Sequence, residues 1–212
     1  MRWKDGLESA ATVILVICAV TVTTMLVRQE FSSSHGSRSR RVKEWRDYIK
    51  GSERIGSSTA SDTIVVFSDF QCPFCHQLAL ALDRIESSGQ VNLLVVHRNF
   101  PITTIHPFAK PAAIAGLCAA RQGRFADFYR SVFAQQDSLG TMSWTALAVD
   151  LGISDSLAFA TCLQDGSTAE ALAADSADAT RLKIDGTPAL LVGDRFIPGV
   201  IPDDSLLAAI RS

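Results

Sequence analysis

The sequence predicts an α/β protein, in which a β-α-β unit and a later β-β-α unit enclose an all-helical segment, preceded by one apolar N-terminal helix. Two short apolar runs, residues 64–67 and 91–100, flank a stretch with helical periodicity. Residues 107–182 are rich in Ala and Leu without the alternation of strands, and a hairpin signal follows at Gly193-Asp194. The 212 residues, 47% of them hydrophobic, suffice for one substantial domain and an appendage.

The N-terminal segment, residues 1–28, is predicted to be a membrane anchor. Residues 10–27 are uncharged, and this length is just enough for one membrane-spanning helix. A cleaved signal peptide is the alternative, but its apolar part is usually shorter, and no convincing Ala-x-Ala-like cleavage site follows. The basic residues that follow the run would by themselves place the rest of the chain in the cytoplasm, so the charge pattern leaves the orientation open.

Residues 29–62 are predicted to be a tether and a strap. Residues 29–44 are Ser-rich and basic, which is typical of a flexible linker, and residues 45–55 predict a short helix or a surface strap. Residues 29–62 hold seven basic and five acidic residues, whereas residues 63–212 hold ten basic and fifteen acidic ones. The acidic main body argues against a nucleic-acid partner.

The β-α-β unit begins with Ile64–Phe67, a β-branched apolar run that predicts a strand buried on both faces. A helix ended by Gly89 follows, and residues 91–100 predict a second buried strand. Because one helix connects the two strands, they should be parallel, with a right-handed crossover.

The helical segment, residues 104–182, is predicted to be inserted into a domain made of residues 63–103 and 183–212. Its apolar pattern predicts helices at residues 107–122, 124–136, 143–151, 155–164 and 167–182. Strands 189–192 and 195–198 should then form a hairpin, and a last helix should run through Ile210.

The chemistry is expected at Cys72-Pro-Phe-Cys75-His76. If a helix begins here, Cys72 is its N-cap and Pro73 its first residue, where the missing N–H costs nothing. A thiolate at the N-cap accepts hydrogen bonds from nearby N–H groups and lies at the positive end of the helix dipole, which lowers its pKa from about 8.5. Cys75, one turn further, is more shielded. The spacing thus predicts one reactive sulfur and one reserve sulfur, as thiol–disulfide exchange requires.

Other uses of this motif remain open. Cys-x-x-Cys-His is also the attachment signature of c-type haem, for which Met142 or His106 could supply the second axial ligand. A copper site could use both thiolates with His97 or His106, whereas zinc would need about four ligands. An inert disulfide in so short a loop would hardly constrain the unfolded chain. Pro73 and the preceding strand favour a strand-to-helix corner, so we expect no cofactor and no metal.

Several stretches together resemble the DsbA-like family of thioredoxin-fold disulfide oxidoreductases, in its membrane-anchored, four-cysteine type. The resemblance covers about residues 53–212. The matching stretches are Phe67–Cys75 (FSDFQCPFC), His97–Pro101 (HRNFP), His106-Pro107, Cys118–Phe125 (CAARQGRF) and Gly186–Pro188 (GTP).

The resemblance implies a thioredoxin-like fold with a helical insertion and assigns roles to individual residues. Cys72 and Cys75 would be the catalytic pair, and Thr187–Pro188 would be a cis-proline loop that lies against them and positions the client. Cis peptide bonds are essentially confined to X-Pro, which agrees with this assignment. Phe74, together with Phe70, would form an apolar rim for binding unfolded clients.

The resemblance further implies a structural disulfide between Cys118 and Cys162, and hence an oxidising compartment outside the cytoplasm. The expected partners are thiol-containing secreted or envelope proteins and a membrane redox protein that reoxidises the pair. We expect a monomer, because residues 29–62 are too short for the dimerisation domain that isomerases of this family use. Oxidase activity is the first expectation; a reductase, an isomerase or a copper-binding chaperone is the alternative.

Overall fold

The computed structural model describes residues 17–25 and 40–212. Residues 17–25 are helical, and the hydroxyls of Thr21, Thr23 and Thr24 donate to carbonyl oxygens one turn earlier. These bonds satisfy polar hydroxyls inside an otherwise apolar helix. Among the residues described, no helix combines the length and the apolar character that crossing a bilayer requires. Most of the predicted anchor, residues 1–28, lies outside the described residues.

A six-stranded mixed sheet organises residues 40–212. Its strands are β1 (Arg40–Arg41), β2 (Glu53–Gly56), β3 (Asp62–Ser68), β4 (Leu93–Asn99), β5 (Ala189–Val192) and β6 (Arg195–Pro198). They lie in the order β1-β6-β5-β3-β4-β2. β3 and β4 are parallel and are joined by helix α1 (Pro73–Ser87), as predicted, while the other neighbours are antiparallel.

Both faces of the central strands are buried. Ile64 and Val66 point into a core that includes helix α1, whereas Val65 and Phe67 point into a second core on the opposite face. This alternation follows from the two-residue period of a strand. It explains why β3 has no polar face and why its sequence is a continuous apolar run.

Six further helices complete the structure. They are α2 (Ala109–Ala120), α3 (Phe125–Ala134), α4 (Trp144–Asp150), α5 (Ser156–Cys162), α6 (Gly166–Arg181) and α7 (Asp203–Ile210). The side chains of Ser143, Asp155 and Asp165 accept a backbone N–H at the starts of α4, α5 and α6, which satisfies donors that a helix start leaves unpaired. Five of these helices follow one another between β4 and β5.

The structure differs from the sequence expectation between residues 40 and 56. Arg40–Arg41, predicted as tether, pairs with β6, and Val42 is buried. The Arg40 guanidinium lies 4.2 Å from the centroid of the Phe196 ring, which helps to hold this strand. The predicted strap contains a 3₁₀ turn at Trp45–Ile49 and then β2, which forms one edge of the sheet. These strands are too short and too polar for periodicity to reveal them.

A buried ion pair ties the strap to the sheet. Arg98 of β4 contacts Asp175 of α6 at 2.6 Å, and both side chains are less than a tenth exposed. Arg98 also donates to the carbonyl oxygens of Tyr48 and Lys50. Asp175 accepts the backbone N–H of Asn99 at 2.9 Å as well. One guanidinium and one carboxylate thus connect the strap, the sheet and helix α6.

We expect Asp175→Ala to lower the free energy of unfolding by about 1.5–3 kcal/mol, because it removes the acceptor of the Arg98 and Asn99 bonds, although Asp178 at 3.3 Å remains beside the buried guanidinium. Urea denaturation measures the loss. Asp47→Ala is the matched control, since Asp47 pairs with Lys50 on the surface, and such pairs contribute about 0–1 kcal/mol. Equal losses for the two variants would contradict the role of the buried pair.

Candidate active site

The motif lies where the central strand β3 ends and helix α1 begins. Cys72 is the N-cap residue, with extended backbone angles (φ −73°, ψ 122°), and Pro73 is the first helical residue. The carbonyl of Cys72 accepts the N–H groups of Cys75 and His76 at 3.0 and 3.2 Å. The positive end of the helix dipole therefore faces Cys72, as the sequence predicted.

The surroundings of Cys72 favour its thiolate. The pKa of Cys72 is lowered from 9.0 to about 5, although burial opposes this shift. The largest contribution is a hydrogen bond from the Cys75 thiol, and smaller ones come from Thr187 and from the backbone N–H groups of Cys75 and Phe74. When the sulfur is protonated, its S–H donates to the Thr187 carbonyl at 3.3 Å. The Thr187 hydroxyl is buried and makes no hydrogen bond in the structure described.

Cys75 has the opposite character. Burial raises its pKa well above the ordinary value, and the neighbouring Cys72 raises it further. Only 1% of Cys75 is exposed, and its sulfur accepts the backbone N–H of Asp69 at 3.4 Å. The pair thus combines one sulfur that ionises readily with one that stays protonated and shielded.

The loop before β5 lies against this pair. The Thr187–Pro188 peptide bond is cis, and the Thr187 carbonyl contacts Cys72. The Pro188 carbonyl accepts the N–H of Gly199 at 2.8 Å, which ties the loop to the end of the hairpin. The structure therefore brings the Cys72–Cys75 motif and Thr187 together, although Cys72 and Thr187 are 115 positions apart in sequence.

A buried carboxylate supports the motif from behind. Asp69, whose side chain is fully buried, accepts the N–H groups of Gln71 and Ile102 at 2.7 and 2.8 Å and the Nδ1 of His106 at 2.8 Å. Sequence reasoning gave Asp69 no role. The signal was present, because Asp before a turn commonly binds the backbone two residues on. This network fixes the turn between β3 and Cys72.

The family model described as thioredoxin (Thioredoxin_4) matches residues 49–212. The chain belongs to this thioredoxin family. Among curated proteins, the Na(+)/H(+) antiporter NhaA 1 of Mycolicibacterium gilvum (strain PYR-GCK) is 30% identical over 168 residues, which are 79% of this chain and 26% of the antiporter. NhaA 3 of Salinispora tropica is 31% identical over 167 residues, or 79% and 24% of the two chains. The chain spans about a quarter of the length of these relatives.

Solved structures share the fold. The thiol-disulfide exchange protein alpha-DsbA2 from Wolbachia pipientis superposes with a TM-score of 0.67 at 19% identity, covering 79% of this chain and 91% of that one. Oxidised BdbD from Bacillus subtilis gives 0.65 at 22% identity, with 77% and 92% covered. The predicted DsbA-like thioredoxin fold is confirmed by these comparisons.

A mainly apolar groove of about 650 Å³ lies along helix α1 of this thioredoxin-family protein. Its lining includes Phe74 and Thr187, which neighbour the cysteine pair, together with Leu80, Val200 and Pro202. The Phe74 side chain is 56% exposed, as a rim residue should be. Phe70, in contrast, is only 1% exposed, so the expectation that it belongs to the rim is wrong.

Phe70 is buried because it packs against the interior rather than facing a client. Its ring stacks on His97 with centroids 5.2 Å apart and contacts Phe128 and Phe133 of helix α3. Phe70 therefore anchors the active-site turn to the helical segment. An apolar residue just before a motif gives no sequence signal that distinguishes these two orientations.

The residues suggested from the sequence as further haem or copper ligands make contacts away from the cysteine sulfurs. His97 is fully buried, which lowers its pKa to about 4, and its Nε2 contacts Asn99 at 3.2 Å. His106 is bound to Asp69, and Met142 packs against the core. Over residues 17–25 and 40–212, no three His, Cys, Asp or Glu side chains group in a way that could hold a metal ion.

The second cysteine pair lies in the helical segment. Cys118 of α2 and Cys162 of α5 are joined with an S–S distance of 2.02 Å, while Cys72 and Cys75 are in the dithiol form. The pair is separated by 44 positions in sequence. We propose a structural role for this disulfide, since closing a loop of that length stabilises a fold by about 4 kcal/mol in the chain-entropy account.

We expect alkylation of Cys72 by iodoacetamide in the reduced native chain to reach half its maximal rate near pH 5, because only the thiolate reacts and Cys75 stays protonated in this range. The pKa of Cys72 is lower in the folded protein, about 5, than the ordinary value of 9.0, so ionisation of Cys72 also stabilises the reduced fold. This contribution is complete above pH 9 and is lost as the pH falls towards 5. A midpoint near pH 9 would show that the helix start does not stabilise the thiolate.

Proposed function

We propose that this protein exchanges disulfides with secreted or envelope polypeptides, acting as an oxidase. Cys72 is the exchanging sulfur and Cys75 its resolving partner. The observation that supports this most directly is the contrast between the two sulfurs, with a stabilised thiolate at the helix start and a protonated, buried thiol one turn later. Family membership and the DsbA-like fold agree with this reading.

The oxidative cycle begins with the Cys72–Cys75 disulfide. A client thiolate attacks the sulfur of Cys72, the bond to Cys75 breaks, and Cys75 leaves as a thiolate that takes up a proton. A second client thiolate then attacks the client sulfur of this mixed disulfide and displaces Cys72. The client loses two electrons and gains a disulfide, while the protein becomes the dithiol. Cys72 leaves readily because its thiolate is stabilised.

The groove supports binding of an extended client segment. Phe74, Leu80 and Val200 offer exposed apolar surface beside the reactive sulfur, and unfolded polypeptides expose apolar side chains. In this proposal Thr187 and Pro188 position the client backbone, which is supported by the contact of the Thr187 carbonyl with Cys72. In this proposal a membrane redox protein reoxidises the pair after each turnover.

A reductase or isomerase would use the same residues in reverse, so the direction depends on the potential of the pair. In that direction the Cys72 thiolate attacks a client disulfide, and Cys75 then displaces the reduced client. A stabilised Cys72 thiolate stabilises the reduced protein, which favours the oxidase direction.

A peptide with one internal disulfide tests the division of roles. We expect the Cys75→Ser variant to accumulate a mixed disulfide with it through Cys72, because Cys75 no longer releases the peptide and only the freed peptide thiol can reverse the attack. The Cys72→Ser variant should form none, since Cys75 is buried and protonated. Mass spectrometry of acid-quenched mixtures measures both. A mixed disulfide on Cys75, or none in either variant, would refute the proposed function.

We propose that residues 1–28 anchor the protein and that the body lies on the extracytoplasmic side of the membrane. A disulfide at Cys118–Cys162 persists in an oxidising compartment. A reporter that is active only after export, fused after Ser212, should therefore be active. Activity of a cytoplasmic reporter at the same position would contradict this topology.

A further inference from the structure

Gln136 reaches from the helical segment to the backbone of the active-site turn. It lies in the 3₁₀ turn Gln136–Ser138, just after helix α3. Its Nε2 donates to the carbonyl oxygens of Phe70 at 2.8 Å and of Cys72 at 3.0 Å. The second acceptor belongs to the reactive cysteine itself, although the two residues are 64 positions apart in sequence.

The Cys72 carbonyl is also part of the helix start. It accepts the N–H groups of Cys75 and His76. The backbone N–H groups of Phe74 and Cys75 also help to lower the pKa of the Cys72 sulfur, although the sulfur itself forms no N-cap hydrogen bond in this structure. The orientation of the Cys72 peptide plane therefore sets the position of its sulfur relative to the first turn. Gln136 is a third donor to that carbonyl, from outside the helix.

We propose that Gln136 is a positioning residue for thiol–disulfide exchange, holding the Cys72 carbonyl so that the sulfur stays against the N–H groups of the first turn of α1. This inference rests on the proposed function of Cys72. Phe70, held by the same amide, fixes the preceding turn. The helical segment thereby contributes to the reactivity of Cys72 without touching the sulfur.

The size of the effect follows from the bonds lost. A net hydrogen bond contributes about 1 kcal/mol, which corresponds to roughly a fivefold change in an equilibrium constant. Removing the Gln136 donor should therefore raise the pKa of Cys72 by about 0.5–1 unit. The thiolate fraction of Cys72 near pH 4, below its pKa, should therefore fall by a factor of about five.

The test compares two neighbouring glutamines in the full chain carrying Cys75→Ser. Gln136→Met keeps the side-chain length and removes the donor. Gln135→Met is the matched control, because the exposed Gln135 amide contacts only Ser131 of helix α3 in the described structure. Ultraviolet thiolate absorbance followed against pH gives the pKa of Cys72, and thermal unfolding reports the fold. A merely structural role would change the melting temperature but not the pKa.

We expect a raised pKa for Gln136→Met and an unchanged one for Gln135→Met. If the pKa of Cys72 is well below 8.5 in the parent chain, which carries only Cys75→Ser, and Gln136→Met leaves it unchanged, this inference is overturned and the proposed function stands. If the parent itself titrates near about 8.5, the value of a free cysteine, the proposed function fails first. Should Gln136→Met not fold, Gln136→Asn, whose amide is one carbon too short, decides by the same readout.

Discussion

The site depends on one interaction, the stabilisation of the Cys72 thiolate by the start of helix α1. Donors around this sulfur outweigh the burial that opposes its ionisation, and the neighbouring Cys75 thiol contributes most among them. The same turn buries Cys75 and keeps it protonated. In the proposed function, this difference in acidity between two sulfurs three residues apart allows one to react and the other to resolve.

The rest of the fold holds that turn in place. β3 is buried on both faces, and the Cys72 motif follows its end. Thr187 and Pro188 lie at the same end because they lead into β5, which pairs with β3. Asp69 ties the turn to residues 102 and 106, and Gln136 ties it to the end of α3. On the opposite face, Arg98 and Asp175 connect the N-terminal strap with α6. The helical segment is therefore part of the support of the site and not only a cover for it.

Strong local signals made most of the fold predictable. The continuous apolar runs indicated β3 and β4, Gly193-Asp194 indicated the hairpin, and Pro73 after Cys72 indicated the helix start, each of which the structure contains. The strands β1 and β2 were missed because they are short and polar, and only pairing with β6 and β4 orders them. The contacts of Gln136, and those of Asp69 with residues 102 and 106, were missed because they join distant segments, which no local pattern reports. Phe70 was misplaced because an apolar residue beside a site can face either client or core.

Under the proposed function, the acidity of Cys72 favours transfer of disulfides to clients over reduction of client disulfides. The reduction potential of the Cys72–Cys75 pair tests this claim most directly, measured by equilibration of the full chain with glutathione buffers of defined ratio. A stabilised thiolate stabilises the reduced form, so we expect a potential less negative than roughly −200 mV. A value of about −270 mV or below, that of a reducing thioredoxin, would contradict the account.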